Sequence, residues 1–238
     1  MDNSISVIIP VYNEERTIPS IVEIVRTWGK AGETIVVNDG STDKTVGALS
    51  QFNGSVKLID RKINKGKGYS MAQGVRASSG ELIMFLDGDV VGLTHKDLDT
   101  MIAPVAGNKA DMVIGVTNCW NVGSFAPYDS INGERVVWRK NIEKHLSKFE
   151  NVGNGVEFVI NDLHKNKRVK TIKLPHVYIL GKMDKAAVPE AMKQYVKEAS
   201  QFLKAIVQIQ TNELPPQAKR VFRVAQSYIK QALDYLGK

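Results

Sequence analysis

"GELIMFLDGDVVG", residues 80–92, poses the question that decides the fold. Ile83, Met84, Phe85 and Leu86 read as a buried strand, and Asp87 and Asp89 follow where that strand ends. A period of two puts both carboxylates on one side of an extended chain. Like charges so close repel unless something positive sits between them. Two readings fit these residues alone. Asp-Gly is ordinary turn chemistry, and a pair of hard oxygen donors at a strand end is also the start of a cation site.

Working outward, the first half of the chain alternates. "ISVIIPVY" (5–12), "ETIVVND" (33–39), "VKLID" (56–60), "ELIMFLD" (81–87) and "DMVIGVTN" (111–118) read as strands. Between them "ERTIPSIVEIVRTW" (15–28), "STDKTVGALSQF" (41–52), "GYSMAQGVRASS" (68–79) and "THKDLDTMIAPV" (94–105) carry helical spacing. Ser41 and Thr42 suit a helix cap, as does Thr94. Strands that are apolar throughout and alternate with helices imply an α/β fold, a Rossmann-like parallel sheet covered on both faces. Right-handed crossovers bring every carboxyl end to one edge, where such sheets bind ligands. Tyr12-Asn13-Glu14, Asn38-Asp39-Gly40-Ser41, Lys65 and Lys67, and Asp87-Gly88-Asp89 follow the first four strands. Acids able to hold a cation and lysines able to neutralise phosphate thus converge on one rim.

At 238 residues, 43% of them hydrophobic, the chain suffices for one large domain with an appendage. No run approaches the ~18 apolar residues of a membrane span, and the start lacks a signal-peptide pattern. The lone Cys119 excludes an internal disulfide or a cysteine-based zinc cluster. Together these predict a cytoplasmic protein. A net charge of +7 permits an anionic partner. Nucleic acid is not expected: no helix-turn-helix, zinc-finger or RNA-recognition signature occurs, and the basic stretches 60–68 and 163–173 lack interleaved aromatics. The stretch 163–173 reads as a solvated face.

The second half is less regular. Residues 119–133 read as a loop, 134–146 as a helix, 152–166 as a turn entering a helix, and 168–179 as strand-like up to Pro175. The tail reads as two amphipathic helices. In the second, apolar residues from Ala218 to Leu236 repeat at three and four, opposite Lys219, Arg220, Arg223 and Lys230. Packing on the domain, a homo-oligomer contact and a peripheral site on an anionic membrane face all fit that pattern.

Taken together, "VIIPVYNEERTI", "IVVNDGSTDKT" and "NKGKGYSMAQGVRASSGELIMFLDGD" resemble, in order and at family spacing, the motifs of the family 2 glycosyltransferases of the GT-A fold. Residues 119–183 match more loosely. "INGERVVWRKNIEKHL" and "NGVEFVINDL" are similar to segments of the polyprenyl-phosphate hexosyltransferases, the dolichol-phosphate mannose synthase type. The resemblance implies a GT-A domain over 1–183, with a nucleotide-sugar half at 1–118 and an acceptor half at 119–183. A helical extension over 184–238 follows.

The resemblance also implies roles. Pro10, Tyr12 and Glu14 would line the nucleotide pocket, with Glu14 reaching the ribose, Asp39 on the base or ribose edge and Lys67 near the base and phosphates. Asp87 would face the ribose and sugar, and Asp89 would coordinate magnesium or manganese. Arg135 would contact a phosphate. Manganese tolerates imidazole, and His176, just past the late strand, is the candidate third ligand; Val91, which cannot ligate, stands where some relatives carry a further assisting residue. Glu157, with Asp162 in reserve, is the candidate base for a hydroxyl acceptor; pairing with a lysine is its other reading.

The implied activity is inverting transfer of a hexose from a GDP- or UDP-hexose to a polyprenyl phosphate. A soluble glycan or phosphorylated small molecule is the alternative acceptor. A nucleotidyltransferase and a silent sugar-nucleotide-binding module are the rivals of other classes. The Gly-x-x-x-x-Gly-Lys-Ser/Thr phosphate loop of nucleotide hydrolases is absent.

Overall fold

A computed structural model describes residues 4–118, 133–180 and 201. The proposed tail helices of 184–238 lie outside the described residues apart from Gln201, as does Cys119.

The described residues build one eight-stranded sheet in the order β3-β2-β1-β4-β7-β6-β8-β5. Strands β1 (Ile5–Val11), β2 (Glu33–Asp39), β3 (Lys57–Arg61) and β4 (Leu82–Phe85) are mutually parallel. Their pairing follows from the crossovers α1 (Ile18–Trp28), α2 (Thr45–Leu49) and α3 (Lys67–Ala77), which return the chain to the same edge each time. After β5 (Val90–Val91) and α4 (His95–Ala106), β6 (Met112–Asn118) runs parallel to β8 (Val169–Ile179). The expected mostly parallel α/β sheet is present.

Alternate residues of each strand feed two cores. Val7, Ile9, Met84, Leu86 and Val136 pack with α1 and α4, around Ile18, Val22, Leu98 and Met101. Ile8, Ile83, Phe85 and Val137 pack on the other face with Met71 and Val75 of α3. Phe149 of α5 (Leu146–Phe149) and Val159 of α6 (Val156–Leu163) complete that side.

Three expectations need correction. Residues 134–146 do not form a helix: Arg135–Trp138 are strand β7, antiparallel to both β4 and β6, followed by two short 3-10 turns. Val136 and Val137 face opposite cores, which a pleated strand permits and a helix of this length does not. The last strand does not stop at Pro175 but continues to Ile179, with a register shift between Thr117 and Asn118 of its partner. Prolines are tolerated at such irregularities. Ser41 and Thr42 do not cap α2, which starts at Thr45. The Ser41 hydroxyl accepts from the Asn13 amide at 2.9 Å, and the Thr42 amide donates to Asn13 Oδ1 at 2.8 Å, so both tie the β1 and β2 loops together. At α4 the expected cap is present: Thr94 and Asp97 form a reciprocal capping box.

Candidate nucleotide-sugar site

The carboxyl ends of β1 to β4 form the predicted rim. Asp87-Gly88-Asp89 leaves β4 across the end of β1, so closely that a Cβ on Gly88 would lie 2.8 Å from Val11 and 3.2 Å from the Glu14 side chain. The Thr17 hydroxyl donates to the Gly88 carbonyl at 2.6 Å and lies 3.1 Å from Glu14 Oε2. Pro10 is buried in β1, while Tyr12, 40% exposed, projects from the rim.

At the neighbouring strand end Asp39 is buried and organises the β3–α3 loop. Its Oδ1 accepts from the Lys65 amide at 2.9 Å and its Oδ2 from the Gly66 amide at 2.7 Å. Arg61 Nη1 stands 3.1 Å from Oδ1 and its guanidinium lies over the Tyr69 ring. Gly66 adopts φ 98°, a left-handed backbone that suits glycine and lets consecutive amides converge on one carboxylate.

Lys67, the first residue of α3, is the electrostatic centre. Its Nζ is 2.6 Å from Asp87 Oδ1 and 2.6 Å from Glu157 Oε1. Burial works against the ammonium, but Asp87 and then Glu157 more than offset it and hold Lys67 charged well above its ordinary value. Arg135, fully buried on β7, donates weakly to Asn161 Oδ1 at 3.5 Å. Burial lowers its pKa against the opposing pull of Glu157 and Asp87. Burial raises Glu157 against Lys67 and Arg135. Beside them Gly133 packs on Asp87: a Cβ there would overlap both carboxylate oxygens. Glu134 is also fully buried, and burial followed by Asp87 pushes its carboxyl up to about 8.

The family model for glycosyl transferase family 2 matches residues 6–174, most of this architecture. The chain belongs to glycosyl transferase family 2. Among curated relatives, it is 30% identical over 185 residues to glycosyltransferase AglE of Haloferax volcanii, covering 69% of this chain and 60% of that protein. It is 28% identical over 119 residues to a dodecaprenyl-phosphate galacturonate synthase of Rhizobium johnstonii, covering 47% and 35%. This family 2 chain therefore spans less than two thirds of each of these relatives. Among solved structures, glucosyl-3-phosphoglycerate synthase from Mycobacterium tuberculosis in complex with Mn2+, UDP and phosphoglyceric acid superposes with a TM-score of 0.69. That match has 18% identity and covers 87% of this chain and 78% of the other. Likeness at that identity shows the fold, and the fold is the expected GT-A type.

Within the family 2 chain, the structure brings Asp87, Lys67, Glu157 and Arg135 into one charged cluster, with Glu14 against the Asp-Gly-Asp turn. His176 goes elsewhere: its Nε2 is 2.9 Å from Asp97 Oδ2, at the cap of α4. Among the described residues no three His, Cys, Asp or Glu side chains are gathered to hold a metal, so the expected Asp87–Asp89–His176 set is not assembled. Glu157 takes the lysine pairing that was its other reading. Asp162 pairs with Lys165 at 3.0 Å. The basic stretch 163–173 enters β8 from the amino edge of the sheet, opposite the rim, where Arg168 binds Asp111 at 3.0 Å, as a solvated face does. No helix among the described residues is long and apolar enough to cross a membrane.

Sequence reasoning missed Arg61, which looked like part of a generic basic run, and Glu134, which a helical reading left on no particular face.

Proposed function

We propose that the chain transfers a hexose from a nucleoside-diphosphate hexose to a phosphorylated acceptor, with polyprenyl phosphate favoured, and that the transfer depends on a divalent cation. The observation that carries this reading is the placement of Asp87 and Asp89 at the end of β4, across the end of β1 and next to the partly buried Lys67.

The donor set fits magnesium or manganese. Such ions take hard oxygen ligands, keep waters and use substrate phosphates, so two carboxylates suffice as the protein share. Asp89 and Asp87 are the residues that would hold the ion. When bound, a divalent cation neutralises charge on a departing diphosphate. The protein's own part is positional. Lys67 pins one oxygen of Asp87, and Glu157 pins Lys67, so the acid meets its ligand in one orientation. Asp39 holds the β3–α3 loop that delivers Lys67. Tyr12 offers an exposed ring to a base. A phosphate acceptor is ionised near neutrality and needs no general base, consistent with Glu157 Oε1 being held by Lys67.

A polyprenyl-phosphate acceptor is supported by the names of two relatives. One is the dodecaprenyl-phosphate galacturonate synthase, and the other is a dolichyl-phosphate β-glucosyltransferase of Trichomonas vaginalis. The second reading, a soluble phosphorylated acceptor, is favoured by the glucosyl-3-phosphoglycerate synthases of Mycolicibacterium smegmatis and Mycobacterium tuberculosis. The test is a thermal-shift panel of nucleoside diphosphates with and without manganese, followed by transfer assays on polyprenyl phosphate and phosphoglycerate. Metal-dependent stabilisation of about 2.7 kcal/mol is expected at a hundredfold excess over Kd, and Asp89→Asn should abolish it. No nucleoside diphosphate stabilising the wild-type chain would sink the reading.

A further inference from the structure

We propose that the Glu134 carboxylate binds hydroxyl groups of the donor hexose. This rests on the donor-site reading above and deepens it. Glu134 is 0% exposed, and no other residue hydrogen-bonds either carboxylate oxygen, its own backbone amide being the one donor close by. A buried acceptor left unmatched costs about 1–3 kcal/mol, more if charged. Such a group marks a place where a ligand supplies the missing hydrogens.

The sheet says where that place is. Phe85 pairs with Arg135 across β4 and β7, so Glu134 lies beside the point where β4 ends and Asp87 begins. Its neighbour Gly133 lies against the Asp87 carboxylate. Arg135 faces Asn161, whereas Glu134 takes the opposite face: a Cβ on Gly115 would lie 3.1 Å from Glu134 Cβ and 2.9 Å from Met101 Sδ. Met101 and Leu174, the apolar residues of that wall, donate nothing to it.

The chemistry narrows the ligand. Lys67 is held by Asp87 and Glu157. Asp87 and Asp89 stand near Glu134 as like charges, and the opposing cation, Lys67, is already engaged by both Asp87 and Glu157, so this spot offers a phosphate less than it offers a neutral group. A cation caged by Glu134 with the two aspartates is not supported, since no three acidic groups are so gathered among the described residues. A neutral ligand rich in hydroxyls remains. A carboxylate can accept from two vicinal hydroxyls at once, and a hydroxyl pairs with either protonation state of the acid. At a rim built for a nucleoside diphosphate and its metal, the hexose ring meets that description.

The experiment is calorimetric binding of UDP, GDP and their hexose derivatives, in the presence of Mn2+, to wild type and Glu134→Leu. Leucine matches the apolar wall and removes the unmatched acid, a change that is neutral or stabilising where a buried polar group is replaced by an apolar one. Nucleoside diphosphate affinity should stay within twofold while nucleotide-hexose affinity falls at least tenfold. An unchanged ratio between the two ligands overturns the proposal. Monodeoxy donors on the wild-type chain give a check without any variant. At least one should bind tenfold more weakly, and that difference should vanish in Glu134→Leu. Monodeoxy donors that all bind within twofold of the parent sugar overturn it equally. If the wild type binds neither UDP nor GDP, the donor reading itself fails, an outcome distinct from an unchanged ratio.

Discussion

Lys67 Nζ lies 2.6 Å from Glu157 Oε1, joining the first residue of α3 to the first turn of α6 beneath the Asp-Gly-Asp turn. The same ammonium reaches Asp87. A partly buried cation shared by two acids, one of them fully buried, is costly to remove, because it leaves both acids uncompensated. Lys67→Met should destabilise the fold by about 3–5 kcal/mol in denaturant titrations. Glu157→Gln should lower transfer less than the roughly 10²–10⁴ lost with a general base, and should leave the shape of the pH–rate profile unchanged. A vanished ionisation in that profile would restore the base assignment.

Gly133 has no room for a side chain. Gly133→Ala would push a methyl into the Asp87 carboxylate. Overpacking costs typically about 1–3 kcal/mol, and here the strain falls on the acid that Lys67 orients. Metal-dependent nucleoside diphosphate binding, read by calorimetry, should fall more than tenfold.

His176 is engaged at the cap of α4 through Asp97. His176→Ala should leave manganese affinity within twofold and cost no more than about 1 kcal/mol, since the imidazole is half exposed. Isothermal titration with Mn2+ in the presence of the preferred nucleoside diphosphate checks this. A loss of tenfold or more would return His176 to the metal site.

His164 is fully buried, with Nδ1 donating to the Ile160 carbonyl at 2.8 Å and Nε2 without a partner. Burial lowers its pKa below 6.5, against the opposing Ile160 hydrogen bond. The unfolded chain therefore takes up this proton first as pH falls. The stabilisation is present above pH 6.5 and is lost as pH falls below it toward the folded pKa, by at most about 1.4 kcal/mol per pH unit. Urea titrations of wild type and His164→Leu at pH 7.5 and 5.5 should show a steeper acid loss in the wild type.

How far the sequence reaches is clearest at β4 and β7. Residues 83–86 are apolar on both faces, so a buried parallel strand was legible, and the acids after it were legible as a rim. "ERVVWRKNIEKHL" was not legible as a strand. It is short, its apolar residues are adjacent rather than alternating, and periodicity cannot separate a buried strand from a helix at that length. With β7 misread, Glu134 had no face and Arg135 had no neighbours. His176 failed for a related reason. A metal role was inferred from residue type, whereas the partner it meets, Asp97, is set by where β8 runs past α4.

The order of strands and helices, the apolar faces and the gathering of Asp39, Lys67, Asp87 and Asp89 at one edge were written in the chain itself, because local periodicity and right-handed crossovers leave few other arrangements. Which acid each cation binds, which glutamate is left buried without a partner residue and where His176 points were decided only by the folded chain. Those outcomes depend on contacts between segments 20 to 90 residues apart, which local periodicity does not report.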